Sequence, residues 1–200
     1  MKLYFSPGAC SLSPHIVLLE AGLAFTSERV DLANKLTASG ADYRAINPKG
    51  QVPALALEGV VLTEGPAIVQ YLADQAPDKQ LAPPAGTLAR YQLQAWLNFI
   101  GTEIHKSYSP LFNPAVAEPV KAASHATLAA RYAYLDTILG QRDYLNDAFS
   151  VADIYLFVVS SWAGKVGIDL TPFAHVQAFL QRIGARPAVQ QALRDEGLLK

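Results

Sequence analysis

Cys10 is the only cysteine in the chain, and it lies in Ser6-Pro7-Gly8-Ala9-Cys10-Ser11-Leu12-Ser13. A strand-like Leu3-Tyr4-Phe5 precedes it and an apolar helical pattern follows, so the thiol sits where a helix begins. The partial positive charge of a helix start lowers a thiol's pKa, and the thiolate is the species that does chemistry. Serine at position 13 occupies the place of a dithiol enzyme's second cysteine, which removes internal disulfide exchange. What remains is chemistry with an external partner: a mixed disulfide, an addition, or a hydrogen bond to a bound thiol. A small cysteine packed as a hydrophobe is the alternative these residues leave open.

Three other groupings have chemical potential. Val52-Pro53 opens an apolar strand, where a proline without an N–H belongs at an edge or a first position; its bond can be cis or trans. Thr63-Glu64-Gly65-Pro66 lies at a hairpin-to-helix junction. Free N–H groups there suit a carboxylate, Glu64 suits an ammonium and Gly65 allows close approach, although plain capping by Thr63 and Glu64 accounts for the same residues. Asn98, Thr102, His105 and Lys106 follow helical spacing and share one face, so His105 is placed to hydrogen-bond a thiol or act as a base. A solvated polar face is the plainer account of that stripe. His15, His125 and His175 lack clustered partners, which predicts no metal site. No P-loop and no GxGxxG follows a strand, against nucleotide and dinucleotide chemistry.

The elements that must position these residues fall into two groups. Lys2 to Phe5 reads as a strand, Ser13 to Gly22 as a helix, and Phe25 to Leu32 as a half-exposed strand. Val52 to Leu57 and Val60 to Thr63 form a hairpin about Glu58-Gly59, and a helix follows with Ile68, Val69, Tyr71 and Leu72 on its buried stripe. Pro77 to Gly86 holds three prolines and a glycine and reads as a linker. Beyond it all is helical: Thr87 to about Phe112, which Pro110 must end or bend, about Ala117 to Leu139, Pro172 to Ile183, and Pro187 to Leu193. Ser150-Val151-Ala152-Asp153 has the form of a capping box ahead of an apolar Ile154–Val159 run, the expected centre of this half. The order βαβ, ββα, then all helix predicts two domains: 1–77, a linker over 78–86, and a helical domain over 87–200.

Bulk properties exclude other classes. The 200 residues carry a net charge of −1, so no basic field recruits nucleic acid or acidic lipid. No apolar run is long enough to span a membrane, and the start lacks a signal peptide's apolar stretch. A lone cysteine fits a reducing cytosol, which predicts a cytoplasmic protein. Charged residues make up only 16% of the chain, a lightly charged surface of the kind a second subunit covers.

Taken together, these segments resemble the cytosolic glutathione transferases, most closely their bacterial beta class, over the whole chain. The resemblance rests on Met1-Lys2-Leu3-Tyr4 with Ser6-Pro7-Gly8-Ala9-Cys10-Ser11, and on Asn47-Pro48-Lys49-Gly50-Gln51-Val52-Pro53-Ala54-Leu55. It continues in Leu62-Thr63-Glu64-Gly65, Trp96-Leu97-Asn98 to Glu103-Ile104-His105-Lys106, and Ser150-Val151-Ala152-Asp153. It implies an α/β thioredoxin-like N-terminal domain, an all-α C-terminal domain and a homodimer. Glutathione is then a co-substrate, with no separate cofactor, held across the domain boundary and conjugated to a small electrophile. Val52 would pair its backbone with the cysteinyl part beside cis-Pro53, Glu64 and Gly65 would bind the γ-glutamyl end, and Lys35 the glycine carboxylate. Cys10 and His105 would approach the sulfur, while Asn98, Thr102 and Glu103 would reach the site from the helical domain. Tyr108, Phe112, Trp162 and Lys165 are candidates for the electrophile's pocket. Thiol–disulfide exchange through Cys10 is a second activity on this reading, and a non-catalytic binding or stress-interaction protein on the same scaffold is the alternative. Two departures stand out: Phe5 replaces a tyrosine common in the family, and Gly65 replaces a common serine.

Overall fold

Strand β1 (Lys2–Phe5) alternates its side chains between two layers, and the N-terminal architecture is built on that alternation. In the computed structural model, which describes residues 1–199, Tyr4 faces a cluster with Tyr43, Val30, Val52 and Ala54. Phe5 turns the other way, with its ring 5.9 Å from that of His15 on helix α1 (Leu12–Ala21). Tyr4 therefore cannot supply the hydroxyl that Phe5 lacks.

β1 is central in a five-stranded sheet among the described residues, ordered β3-β2-β1-β4-β5. It pairs in parallel with β2 (Thr26–Asp31) and antiparallel with β4 (Ala54–Leu57), Leu3 opposite Leu55. β5 (Val60–Thr63) completes the expected hairpin, with Gly59 at φ 74° in its turn. The two-residue β3 (Leu36–Thr37) was not expected, because two residues cannot display an alternation. Helix α1 ends on Gly22 in the left-handed conformation, and α2 (Gly65–Asp74) follows β5. This is the thioredoxin-like βαβ-ββα arrangement.

The second unit is all helical. Its first rod runs from α3 (Leu88–Phe99) through a π-helical segment (Ile100–His105) into α4 (Lys106–Phe112), with Pro110 in the last turn. The single α-helix expected here is thus interrupted by wider turns. Helices α5 (Glu118–Leu139), α6 (Val151–Ser160) and α7 (Ala174–Gly184) complete it. Every residue of α6 except Phe157 is buried. The buried hydroxyls of Tyr108 and Tyr132 lie 2.8 Å apart, and Tyr132 donates onward to Ser160 at 3.0 Å.

The chain divides into compact units at 82/83, and from Arg186 onward it returns to the N-terminal unit. The final helix, α8 (Pro187–Asp195), therefore lies outside the helical body, in contrast to the expected 87–200 domain. Side chains that a helix count does not weigh hold it there. Arg186 grips both carboxylate oxygens of Glu20 on α1 at 2.6 and 3.0 Å, and Val189 and Ala192 are buried.

The capping box at α6 forms as expected, Ser150 and Asp153 each satisfying the other's backbone. Asp153 is fully buried and accepts from the Leu145 and Ser150 amides, both at 2.8 Å, and from the Ser150 hydroxyl at 2.9 Å. Burial outweighs these donors and raises its pKa from 3.8 to about 6. Folding thus favours the protonated form. Its contribution is complete below the unfolded value and is lost as pH rises through the folded one. Asp153→Ala strands three donors and removes the box, a cost of about 3 kcal/mol, or roughly 5–10 °C in Tm. Thermal melts of both proteins should show a larger penalty at about pH 4 than at about pH 7.

Candidate functional site

Three consecutive carbonyls ahead of β4 are held by side chains. Lys35 donates its ammonium to Gly50 O at 2.9 Å. The buried Tyr43 hydroxyl and the Asn47 amide both donate to Gln51 O, at 2.9 and 2.7 Å. The Cys10 thiol donates to Val52 O at 3.2 Å. The bond that follows, Val52–Pro53, is cis. This stretch is a fixed, edge-like strip of backbone of the kind an extended peptide can pair with.

Lys35 and Glu64, at the two sides of the strip, are non-glycine residues in left-handed conformation, with φ of 59° and 72°. Backbone so disposed persists only where its surroundings over-determine it. Lys35 is fixed by its amide to Asp31 O and by Tyr43's amide to its own carbonyl, both at 2.8 Å. Glu64 accepts from the Ala67 and Ile68 amides at the start of α2, where no side chain caps the first turn. The Glu64 carboxylate pairs with the ammonium of Lys49, which also donates to Thr63 Oγ1 at 2.9 Å. A Cβ added at Gly65 would meet only Pro53 Cγ, at 3.9 Å, so Gly65 stands in open contact beside the cis-proline.

Cys10 departs from the expected activated thiolate. Burial pushes its pKa from 9.0 up to about 11, and the nearby Glu64 carboxylate acts in the same direction. The Cys10 and Ser11 amides pull it down, as a helix start should, but desolvation is the larger effect. The group is a neutral S–H donor. Ser11 likewise does not cap α1 with its side chain; its hydroxyl donates to Ser6 O and accepts the Ser6 amide at 3.1 Å, closing the loop before the thiol.

In the helical unit the π segment changes the expected stripe. Asn98, Thr102 and Lys106 are exposed while His105 is half-buried, and Thr102 Oγ1 donates to Asn98 O at 2.9 Å. Glu103 is not gathered with them. Arg131 of α5 donates to its Oε2 through Nε and Nη2 at 3.0 and 2.8 Å, which commits that carboxylate to helix–helix packing. His105 Nδ1 lies 2.6 Å from the Tyr155 hydroxyl, and its ring meets Trp162 edge-on at 4.9 Å. Burial, aided by Lys106, lowers its pKa to about 4. His105 is therefore neutral at physiological pH and far too weak a base to hold a thiol proton there. The neutral ring carries one N–H, on Nδ1 or Nε2 according to its tautomer, and the bond to Tyr155 runs in the matching direction. Tyr108 and Phe112 pack on Trp162 at 5.6 and 5.7 Å, forming an aromatic cluster with His105, while Lys165 is exposed in a short turn outside it.

Tyr155 and Lys49 take part in these arrangements and were not anticipated, and Glu196, which accepts from the Gly8 amide at 2.8 Å, was not either. Tyr155 lies inside an apolar run that reads as core. Lys49 sits in a polar loop, and Glu196 is far away in sequence at the end of α8. Only the pairing of Lys49 with Glu64 had a local signal, opposite charges flanking one hairpin. Among the described residues no group of His, Cys, Asp and Glu can hold a metal ion, and no helix is long and apolar enough to cross a membrane.

Residues 8–75 match the family model for the glutathione S-transferase N-terminal domain, and residues 99–187 that for the C-terminal domain. The glutathione S-transferase GstA of Escherichia coli O157:H7 is 48% identical over 99% of this chain and all of its own. BphK, a bacterial transferase solved as a ternary complex, superposes with a TM-score of 0.98 at 60% identity, over 99% of this chain and 100% of its own. The beta-class glutathione S-transferase of Sphingomonas chungbukensis does so with a TM-score of 0.97 at 48% identity, covering both chains completely. With the thioredoxin-like sheet, the cis-proline strip and the helical unit all in place, this chain belongs to the glutathione S-transferase family and has the form of its bacterial beta class.

Proposed function

We propose that the protein conjugates glutathione to small electrophiles, as a cytoplasmic homodimer serving detoxification, with Cys10 and His105 acting on the glutathione sulfur. The observation that carries the site assignment is the strip from Lys35–Gly50 through Val52 and cis-Pro53 to Gly65. A tripeptide thiol needs a backbone edge for its middle residue, a cation for one end and a carboxylate for the other. Val52, Lys35 and Glu64 are those groups in order, with Pro53 and Gly65 framing the γ-glutamyl side. Asn98 and Thr102, both exposed on the helical unit, are the further glutathione-binding residues of this reading. Glu103, already engaged by Arg131, is left a supporting part.

The acid–base state of the two central groups selects the chemistry. At neutral pH a thiol of pKa near 11 is ionised to only about one part in 10⁴, so Cys10 is a poor attacker of disulfides. As an S–H donor it stabilises a glutathione thiolate, and the neutral His105 ring adds an N–H. The thiol proton of glutathione leaves to water, its sulfur attacks the electrophilic carbon, and the leaving group departs with the bonding pair. Exchange, in which Cys10 displaces one half of a glutathione disulfide to form a mixed disulfide, is the slower activity.

Kinetics of three variants test this. Cys10→Ala should lower kcat/KM for conjugation roughly tenfold, Cys10→Ser, which keeps a donor, by much less, and His105→Ala roughly tenfold or more. Cys10→Ser should abolish exchange. Wild-type conjugation and exchange rates in both Cys10→Ser and His105→Ala would show the assignment to be wrong. The pH dependence of Cys10 alkylation in the ligand-free protein should have its midpoint near 11, well above a free thiol's. A midpoint at or below the ordinary value would return Cys10 to the role of nucleophile.

For the dimer, support comes from α3 and α5. Leu88 and Tyr91 on α3 are 74% and 59% exposed, and Tyr134 on α5 is exposed and stacks on Trp96. Large apolar groups left exposed along α3 and α5 support a subunit interface there. Light scattering of a Leu88→Glu, Tyr91→Glu double variant should report a monomer where the parent is a dimer.

A further inference from the structure

The loop that carries Cys10 is tied to the far end of the chain. Gly8, at φ 69°, is the apex of Ser6–Cys10, and its amide donates to Glu196 Oε2 at 2.8 Å. The other oxygen of the same carboxylate lies 3.0 Å from His15 Nδ1, on the second turn of α1. The Glu196 side chain is fully buried and that of His15 is 3% exposed. His15 is wedged between Phe5 at 5.9 Å and Phe25 at 5.5 Å, and its Nε2 lies 3.7 Å from the carboxylate of Asp195. One buried carboxylate thus joins the loop before the thiol to the helix after it. Cys10 is the hinge point between these two attachments.

We propose that Glu196 is a positioning residue for the active site, whose two carboxylate oxygens set the angle between the cysteine loop and α1 and thereby aim the Cys10 thiol at the Val52 carbonyl edge. Loss of either attachment frees one side of the hinge. Besides the thiol's own bond to Val52 O, the Ser6–Ser11 bonds and the turns from Ala9 to Ser6 O and Leu12 to Ala9 O tie the loop to its immediate neighbours. Those turns hold the loop's shape and its step into α1, while Glu196 is the side chain that grips loop and helix together from a distant part of the chain. This rests on the reading of Cys10 as the group that faces the glutathione sulfur.

The chain's single cysteine provides a readout that needs no glutathione. The rate of Cys10 alkylation by iodoacetamide, at one neutral pH, reports how often the half-buried thiol leaves its bond to Val52 O. Glu196→Ala should raise that rate roughly fivefold or more. Glu196→Gln can still accept from Gly8 and donate to His15, and should stay close to the parent. Ile183→Ala, a cavity in the buried face of α7 in the helical unit, should lower Tm without changing the rate. The proposal is overturned if Glu196→Ala alkylates at the parent rate, if Ile183→Ala accelerates it equally, or if Glu196→Gln behaves like the alanine variant. Failure of the parent to conjugate glutathione would sink the functional reading and leave the alkylation outcome standing.

Discussion

The carbonyls of Gly50, Gln51 and Val52 point to side chains from three different places in the N-terminal unit, and the site depends on that constraint. A strand end left to its own ladder would have its polar groups satisfied by the next strand. Here Lys35, Tyr43, Asn47 and Cys10 take them one by one. Unmet buried carbonyls are costly, so each of these side chains is fixed as firmly as the backbone it serves. The strip before cis-Pro53 is rigid before any ligand arrives, and rigidity in the unbound protein saves the ordering cost of binding.

That constraint also explains why the thiol is not the activated group a helix start suggests. The N–H groups of the first turn do stabilise a thiolate, but the sulfur is drawn inward to reach the Val52 carbonyl. Desolvation then decides its charge. The same competition decides His105, whose ring is shielded by Trp162 and bound to Tyr155. In each case the local sequence suggests an activated group, and burial shifts the balance toward the neutral form.

The elements legible in the residues were those with a local signal. The hairpin about Glu58-Gly59, the capping box at Ser150 and the glycine stop at Gly22 depend on neighbours in the chain, and each stands where its pattern places it. Cys10, Val52 and Gly65 each stood out by a local motif, but 42 residues separate Cys10 from Val52, and only the family resemblance grouped them. The π segment was not legible, because Ile100–His105 has the composition of any helix and carries no local mark of wider turns. Nor was the engagement of Glu103, since Arg131 is a turn of another helix away from anything in its own pattern. The path of α8 was hidden for the same reason: amphipathicity says that a helix has a buried face, not which body buries it.

That path bears on how the molecule is made. The thioredoxin-like unit is assembled from two stretches of chain that the helical unit separates, with Glu20 held by Arg186 and Gly8 by Glu196. A domain at the start of a chain ordinarily completes its folding while the ribosome is still at work. This one waits. The sheet is able to form early, but the tie from Gly8 to Glu196 needs a segment made only after the whole helical unit, so the reactive end of the first domain stays incomplete until the second has been synthesised.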